Sequence, residues 1–284
     1  MDIRDLFDPP QDCRRILVIQ LGDVGDIVWA VPTLLSLQAA YPQAVLSLLV
    51  RPGFGSLLAN EPYLDTTIEI PSAGKGLWMG AARHIRFLRM LRRERFDLVI
   101  DLRSGDRGAF LSRASGSPMR AALLYRDASF WRNWMFTHLV RPGNETVRTS
   151  FGAAEQSLRI IRGLGIAATT STPVLHVSPQ AMKSAQALLR RLIPTMPADM
   201  PLDKALITLN PFSRWSYKEW GMEKWRRLLA WLAEECSCPL VVIGSAAEKE
   251  RAVALMHNGP AETVNAVGGT TLAELAALLS LSRL

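Results

Sequence analysis

Short runs of branched apolar residues alternate with longer amphipathic stretches along the chain, and this alternation limits the folds open to it. Runs such as ILVI at 16–19 and LVVI at 240–243 are typical of buried strands, and the stretches between such runs have helical periodicity. Strands and helices that alternate at this spacing predict parallel sheets covered on both faces, and therefore an α/β fold. The predicted strands are 16–20, 45–50, 66–70, 97–102, 120–124, 205–209, 240–243 and 264–267, and the predicted helices are 27–40, 76–95, 108–115, 153–164, 179–192, 222–235, 246–256 and 272–281.

The alternation restarts after a stretch rich in Ala, Thr and Ser, which predicts two domains joined by a linker. We expect an N-terminal domain at 1–165, a linker at 166–178 and a C-terminal domain at 179–284, with the two sheets facing each other across a cleft. Ligands of open α/β sheets bind beyond the carboxyl ends of the strands, so the loops after the strands are the candidate sites. The second domain has fewer predicted strands than a complete doubly wound domain, and we expect it to be truncated.

The charge of the chain favours an anionic partner. The net charge is +7 and the isoelectric point is about 9.7, which suits a nucleotide, a phospholipid surface or a nucleic acid without choosing among them. No recognition helix or aromatic-basic motif supports nucleic-acid binding, which we do not predict. No apolar run is long enough to span a membrane, and three cysteines without nearby histidines predict reduced thiols rather than disulfides or a zinc site.

The segment QLGDVGDIVWAVP at 20–32 joins the first predicted strand to the first predicted helix. It has two glycines and two aspartates, Asp23 and Asp26, but no lysine or arginine, and it matches neither G-x-G-x-x-G nor a Walker motif. A diphosphate beside two carboxylates would be repelled. Asp26 therefore has two interpretations: a proton acceptor near a sugar hydroxyl, or a residue that caps the helix. The spacing alone favours the cap, and it favours a solvated turn for Asp23.

The segment NPFSRWSYKEW at 210–220 follows the strand ALITL in the second domain. Hydroxyl groups and cations at a strand–loop–helix junction, here Ser213 and Lys218, suit a phosphate group. The alternative is a surface loop in which Trp215 and Trp220 pack against the protein.

Three further strand ends have candidate binding residues. Glu248 in IGSAAEKE could contact ribose hydroxyls, or it could be a glutamate that the helix dipole favours. Thr270 belongs to the loop GGTT, which also reads as a turn with a capping threonine. Asp101 ends the strand DLVIDL, where it could orient a sugar or pair with Arg103.

Taken together, these stretches resemble the family 9 glycosyltransferases, the ADP-heptose:lipopolysaccharide heptosyltransferases. The resemblance covers RILVIQLGDVGDIVWAVPTLLSLQAAYP, FDLVIDLRSG, LNPFSRWSYKEWGMEKW and VVIGSAAEKE with NAVGGTTLAELAALL. It implies a GT-B fold, with two Rossmann-like domains facing a cleft. It also implies an inverting transfer of heptose from ADP-heptose to a phosphorylated, lipid-linked saccharide of the lipopolysaccharide core, without a metal or other cofactor, in the cytoplasm or at the inner face of the cytoplasmic membrane.

The resemblance also implies roles for single residues. Asp26 is the general base of the acceptor-side domain. On the nucleotide-sugar side, Ser213 and Lys218 bind the diphosphate, Glu248 binds the ribose and Thr270 lies by the adenine. The chain departs from the family at three places. Asn210, which we predict to bind substrate, stands where many relatives have histidine, and Phe212 stands where they have glycine. The Asp-(Ser/Thr)-Gly-x-x-His loop of the family is not present in the sequence. The chain has no D-x-D triplet.

The stretch 83–95 is a basic amphipathic helix with two interpretations. Six arginines interleave with Ile85, Phe87, Leu88 and Leu91, as in a helix that lies on an anionic membrane or binds acceptor phosphates. A solvated arginine face above a packed stripe is the alternative. For the whole chain, two other functions stay open: a transferase of the same fold with another nucleotide sugar or acceptor, and a non-catalytic protein that binds nucleotides or saccharides.

Overall fold

The computed structural model describes residues 12–72, 77–103, 105–125, 129–141, 154–194, 206–236 and 238–283. The chain divides into two compact units, unit 1 (Met1–His176) and unit 2 (Val177–Leu284), and each is described by itself. Both units have parallel strands connected by helices, so the predicted α/β fold is confirmed.

Unit 1 has a six-stranded sheet in which every neighbouring pair of strands is parallel. Its central strands are almost completely buried, because apolar runs with no polar alternation can only lie in a sheet covered on both faces. The strands are β1 (Arg15–Ile19), β2 (Val45–Val50), β3 (Thr66–Glu69), β4 (Leu98–Asp101), β5 (Met119–Leu123) and β6 (His138–Val140).

The strand order in unit 1 is β3-β2-β1-β4-β5-β6, which is the doubly wound order. The direction of winding reverses between β1 and β4, so the carboxyl ends of these two strands form a topological switch point. This switch point is where open α/β sheets bind their ligands. The helices of unit 1 are α1 (Val24–Ala40), α2 (Leu77–Arg93), α3 (Asp106–Ala114), α4 (Phe130–Trp134) and α5 (Glu155–Gly163).

The helices cover the sheet through apolar stripes. In α2, Phe87 and Leu91 are buried against Leu17, Leu49 and Val99 of the sheet, while its arginines stay exposed. Burial of such side chains stabilises a fold by roughly 1.5–3 kcal/mol each. The packed stripe that we considered for this helix is therefore present beneath its basic face.

Unit 2 repeats the local design of unit 1 on a smaller sheet, with the order β7-β8-β9 and parallel pairs throughout. Its helices bury two apolar clusters on opposite faces of that sheet. The elements are β7 (Ile207–Leu209), β8 (Leu240–Val242), β9 (Thr263–Asn265), α6 (Pro179–Leu192), α7 (Met222–Glu235), α8 (Lys249–Met256) and α9 (Leu272–Ser280).

A parallel bridge extends the sheet of unit 2 beyond β7. Leu206 pairs with Ser282, and the Leu206 carbonyl accepts a hydrogen bond of 2.8 Å from the N–H of Arg283. The N–H of the next residue, Ile207, donates to Pro239 on the β8 side. Because successive residues of a strand direct their polar groups to opposite sides, residues 282 and 283 lie on the far side of β7. The resulting order has the same pattern as β4-β1-β2-β3 in unit 1.

The structure differs from the sequence prediction in two places. The short elements α4 and β6 were not predicted. The predicted linker at 166–178 lies mostly within unit 1: the N–H of Thr169 donates to Ser36 Oγ at 3.1 Å, and His176 bonds to Glu61 through both its ring and its backbone N–H. These side-chain contacts are long-range, so composition could not reveal them.

Candidate active site

Asp26 lies in the first turn of α1, directly after β1 and at the switch point of unit 1. Its Oδ2 accepts a hydrogen bond of 2.8 Å from the N–H of Asp23, the residue before the helix, and together the two form a capping box. The amide of Gln20 donates to the Asp26 carbonyl at 3.2 Å. The N-cap residue of α1 is thus Asp23, which we expected in a solvated turn, and Asp26 is the third residue of the helix, so the prediction that Asp26 itself is the N-cap is wrong. The Asp26 side chain remains 36% exposed.

Gly22 makes room for the Asp26 carboxylate. A Cβ atom built at this position would lie 2.2 Å from Asp26 Oδ2, which is far inside van der Waals contact. Any side chain at position 22 would therefore displace the carboxylate. This close approach explains why position 22 holds a glycine, the residue without a Cβ atom.

Arg103 reaches Asp26 from the other side of the switch point. Its Nη1 donates to Asp26 Oδ2 at 2.9 Å, and its side chain is 51% exposed. Arg103 follows β4 and Asp26 follows β1, so this ion pair joins the ends of the two strands between which the winding reverses. Sequence reasoning assigned Arg103 only to Asp101, and no local signal connects residues 77 positions apart.

Asp101 ends β4 and is completely buried. Its Oδ1 accepts a hydrogen bond of 3.1 Å from the backbone N–H of Arg103, and a Cβ atom at Gly108 would lie 2.5–2.6 Å from its carboxylate. Burial lowers the pKa of Arg132, which is also completely buried, and the nearby charge of Asp101 acts to raise it. We predicted that Asp101 binds substrate, but in this conformation its side chain has no exposed atom for that contact. Its carboxylate instead accepts the backbone hydrogen bond from Arg103.

Asp23, the other aspartate of the loop, also has an arginine partner. Its Oδ1 lies 2.5 Å from Nη2 of Arg51, which follows β2. The Arg51 guanidinium stacks on the ring of Phe54 at 4.8 Å, and its side chain is 28% exposed. The loop therefore has no basic residue of its own, yet each of its aspartates is paired with an arginine from a neighbouring strand end.

The loop after β7 in unit 2 is held in shape by Glu219. This carboxylate accepts a hydrogen bond of 2.9 Å from the N–H of Ser213 and two from the guanidinium of Arg251. The hydrogen bond from Arg251 lowers the pKa of Glu219 most, followed by the backbone hydrogen bond from Ser213. The guanidinium of Arg251 also stacks on Phe212 at 5.1 Å. This network fixes the loop that contains Ser213 and Lys218.

Within that loop, the polar groups predicted to contact substrate have few partners. Lys218 is exposed in a short 3₁₀ turn and lies 5.9 Å from the ring of Tyr217, and it makes no ion pair with any residue the structure describes. Asn210 is exposed, with its Oδ1 accepting from the N–H of Phe212 at 3.4 Å. Trp215 and Trp220 are about half exposed, and Trp220 packs edge-on against Trp225 with the ring centroids 5.8 Å apart, so the alternative of a loop with packed tryptophans is met in part.

Glu248 follows β8 in the same arrangement that Asp26 has after β1. Its Oε2 accepts hydrogen bonds from the N–H and the hydroxyl of Ser245, at 2.6 and 2.9 Å. A Cβ atom at Gly244 would lie 2.9 Å from that oxygen. The other oxygen, Oε1, accepts no hydrogen bond from the described part of the chain and remains available to a ligand.

The loop after β9 ends in a third capping box, formed by Thr271 and Glu274. Thr270, which we predicted to lie by an adenine, precedes this cap and is half-buried. Parallel strands present their carboxyl ends at one edge of a sheet, so the loops with Ser213, Glu248 and Thr270 share one edge of unit 2. In unit 1, the corresponding edge holds Asp26 and, through Arg103, Asp101.

Neither a membrane-spanning helix nor a metal-binding cluster is found among the residues that the structure describes. No helix there combines the length and apolar character that crossing a bilayer requires. No group of three or more His, Cys, Asp or Glu side chains there could hold a metal ion.

Comparisons with known proteins agree with these observations. The model of glycosyltransferase family 9 (heptosyltransferase) matches residues 84–284, a range that begins within α2 and does not include Asp26. The chain is 22% identical over 260 residues to lipopolysaccharide heptosyltransferase 3 of Escherichia coli (strain K12), covering 90% of this chain and 71% of that protein.

Two solved structures share the fold. The glycosyl transferase family 9 protein from Veillonella parvula DSM 2008 superposes with a TM-score of 0.79 at 20% identity, over 96% of this chain and 74% of that one. The E. coli heptosyltransferase WaaC with ADP-2-deoxy-2-fluoro heptose superposes with a TM-score of 0.68 at 18% identity, over 94% and 80% of the two chains.

Proposed function

The chain belongs to glycosyltransferase family 9, the heptosyltransferases, and we propose that it transfers heptose from ADP-heptose to a saccharide acceptor of the lipopolysaccharide core with inversion at the anomeric carbon. The observation on which this rests is the partly exposed carboxylate of Asp26 at the switch point of unit 1. A similar protein, E. coli WaaC, has been solved with an analogue of ADP-heptose, which supports this donor.

Asp26 acts as the general base in this proposal. An acceptor hydroxyl attacks the anomeric carbon from the face opposite ADP, its proton passes to Asp26, and the bond between the sugar and the diphosphate oxygen breaks. ADP leaves with the electron pair. A positioned base contributes about 10²–10⁴-fold to the rate of such a step. The capping box and Gly22 fix the position of the carboxylate beside the acceptor hydroxyl.

Unit 2 binds the donor in this proposal, and unit 1 the acceptor. Lys218 and Ser213 contact the diphosphate, and the exposed ammonium stabilises the charge that develops on the leaving ADP. Glu248 accepts a hydrogen bond from a ribose hydroxyl through Oε1, while Thr270 lies by the adenine and Asn210 contacts the donor from the end of β7. The Glu219–Arg251 pair keeps this loop in the conformation that binds.

The acceptor is a phosphorylated, lipid-linked saccharide in this proposal, and α2 is the surface that meets the anionic inner face of the cytoplasmic membrane. Every arginine of α2 is exposed, and the helix has no acidic residue. Ile85, half exposed on the same surface, adds an apolar contact. Each basic residue near an anionic membrane contributes about 1 kcal/mol, so five of them suffice for peripheral binding.

The enzymatic proposal is tested with Asp26→Asn, which keeps the shape of the side chain and removes the base. We expect kcat for heptose transfer from ADP-heptose to fall by about 10²-fold or more, with little change in the KM for the donor. The matched control is Asp23→Asn, in the same loop and also paired with an arginine, which should change kcat only a few-fold. An Asp26→Asn variant with normal kcat and a lower Tm would show that Asp26 stabilises the start of α1 and is not the general base.

The membrane proposal is tested by sedimentation with vesicles that contain phosphatidylglycerol. The double variant Arg86→Gln/Arg89→Gln should bind about thirtyfold more weakly than the natural protein at low salt. Arg190→Gln/Arg191→Gln, at the end of α6 in unit 2, removes the same charge elsewhere and should bind as the natural protein does. Equal binding by the two double variants would contradict a role for α2.

A further inference from the structure

We propose that Arg103 couples acceptor binding to the release of Asp26: the guanidinium binds the Asp26 carboxylate in the free protein and transfers to an anionic group of the acceptor, a phosphate, when the acceptor arrives. Arg103 is then the residue that selects phosphorylated acceptors. This inference rests on the proposed function, because it assigns the regulation of the same base.

The hydrogen bonds at Asp26 create the need for such a release. Oδ2 accepts from both the N–H of Asp23 and the guanidinium of Arg103. A carboxylate oxygen has about two lone-pair sites, so Oδ2 has none left for a proton while Arg103 stays bound. The general base is therefore restrained in the free protein, and a group that withdraws Arg103 activates it.

The position of Arg103 makes the transfer feasible. Its side chain is 51% exposed, it contacts Asp26 through one nitrogen only, and it makes no second ion pair with the described residues. A guanidinium offers a planar fork of donors that fits a phosphate with two parallel hydrogen bonds. An exposed ion pair is weak, and a phosphate dianion attracts the cation more strongly than a single carboxylate does.

The backbone of Arg103 stays in place while its side chain moves. Its N–H is bound to Asp101, which is completely buried and packed against Gly108. Arg51, the arginine partner of Asp23, differs in this respect, because its guanidinium stacks on an aromatic ring and its side chain is 28% exposed. Of these two arginines, Arg103 is the one whose side chain is free to change partners.

A binding experiment tests the inference without any enzymatic turnover. Inorganic phosphate is titrated at low salt into the natural protein, Arg103→Gln, Asp26→Asn and the double variant. We expect Arg103→Gln to bind phosphate about tenfold more weakly at this site, and Asp26→Asn to bind about threefold more tightly because Arg103 no longer has a competitor. In the Arg103→Gln background, Asp26→Asn should give no gain.

Two outcomes of this cycle would overturn the inference. Arg103→Gln could bind phosphate as the natural protein does, or the gain from Asp26→Asn could persist without Arg103, which would reflect charge repulsion alone. Arg15→Gln is the control: Arg15 also forms a half-exposed ion pair, with Glu94, but at the amino end of β1. It should leave phosphate affinity unchanged, and equal Tm values for the two arginine variants exclude a folding defect.

Turnover with matched acceptors tests the same inference in the reaction. Heptose-terminated acceptors with and without a phosphate are compared at fixed ADP-heptose. The natural protein should prefer the phosphorylated acceptor about tenfold in kcat/KM, Arg103→Gln should lose this preference, and Arg103→Lys should restore part of it. An unchanged preference in Arg103→Gln would contradict the inference, whereas no transfer by the natural protein would contradict the proposed function and leave the phosphate cycle to decide.

Discussion

The loop after β1 and the loop after β8 have the same local structure in two different units. Each reads glycine, capping residue, two further residues and an acid: Gly22-Asp23-x-x-Asp26 in one, and Gly244-Ser245-x-x-Glu248 in the other. In each, the acid binds the N–H of the capping residue, and the glycine lies too close to the acid to accept a Cβ atom. Sequence-local forces therefore orient both carboxylates in the same way.

What differs is the group that faces each carboxylate. Asp26 meets the guanidinium of Arg103 from another strand end. Glu248 makes no ion pair within the described residues, since the nearby Arg251 binds Glu219 instead. The comparison teaches that a capping box fixes where an acid points, while the long-range neighbour decides whether it is a restrained base or an open hydrogen-bond acceptor.

Replacing the glycine of each loop is expected to have the largest effect, and the two replacements should differ in how much they destabilise the protein. Gly22→Ala places a methyl group 2.2 Å from Asp26 Oδ2 and should lower the free energy of unfolding by about 2–3 kcal/mol, with a large loss of activity. Gly244→Ala meets the end of the Glu248 side chain and the buried ring of Phe212, both at 2.9 Å, and should cost about 1–2 kcal/mol. Urea denaturation measures both values.

Gly25→Ala is the control for the glycine pair. A Cβ atom there has no neighbour within 4 Å, and the residue is helical. Alanine should therefore stabilise the protein by about 0.5–1 kcal/mol. Equal losses for Gly22→Ala and Gly244→Ala would contradict the closer contact expected at Gly22.

Glu248→Gln tests whether the carboxylate after β8 acts as a hydrogen-bond acceptor for the donor. An amide still offers an oxygen to the N–H of Ser245 but binds a ribose hydroxyl less strongly than a carboxylate does. We expect the KM for ADP-heptose to rise about tenfold with kcat nearly unchanged, because a hydrogen bond to a charged group contributes roughly 1.5–3 kcal/mol. Steady-state kinetics would contradict this role if kcat fell while KM stayed constant, as we expect for Asp26→Asn.

The smallest expected effect concerns pH and the loop after β7. The pKa of Glu219 is lowered below its ordinary value of 4.5 by Arg251 and the Ser213 N–H. A group with a lowered pKa stabilises the fold at neutral pH, and this contribution is lost as the pH falls below 4.5. Glu219→Gln should therefore weaken ADP binding at pH 7 and make it less dependent on pH between 5 and 3, as calorimetry can measure.

Glu223→Gln is the control for that measurement. Glu223 lies on α7, is well exposed and pairs with Arg226 and Arg227 on the same helix. Its replacement should leave both the affinity for ADP and its pH dependence unchanged. If the two variants behaved alike, the Glu219–Arg251 pair would have no part in shaping the loop.

Much of the fold follows from the sequence because its signals are local. Apolar runs gave the central strands within one or two residues, and the predicted family and α/β class are confirmed. The elements α4 and β6 were missed because they are short, and β6 is only half-buried. A three-residue strand of that kind is held by its pairing with β5, which no window of the sequence contains.

The site could be predicted only in part for the same reason. The loops with Asp26, Ser213 and Glu248 follow strands, and their composition marks them; their roles stay predictions. The burial of Asp101 depends on how α3 packs over the end of β4, and the pairing of Arg103 with Asp26 joins residues 77 positions apart. Such contacts appear only when the strand order is known.

The strand order of unit 1 also has a consequence for how the protein is made. The central strand β1 is flanked by β2 and β4, and its first residue paired with β4, Ile16, lies 82 positions before its partner Leu98. During synthesis on the ribosome, the apolar run ILVI therefore has only one of its two neighbouring strands until α1, β2, β3 and α2 have emerged. Long-range pairing of this kind slows folding and produces intermediates with exposed apolar surface, which are prone to aggregate. Production of the protein should accordingly benefit from slow translation, low temperature or abundant chaperones.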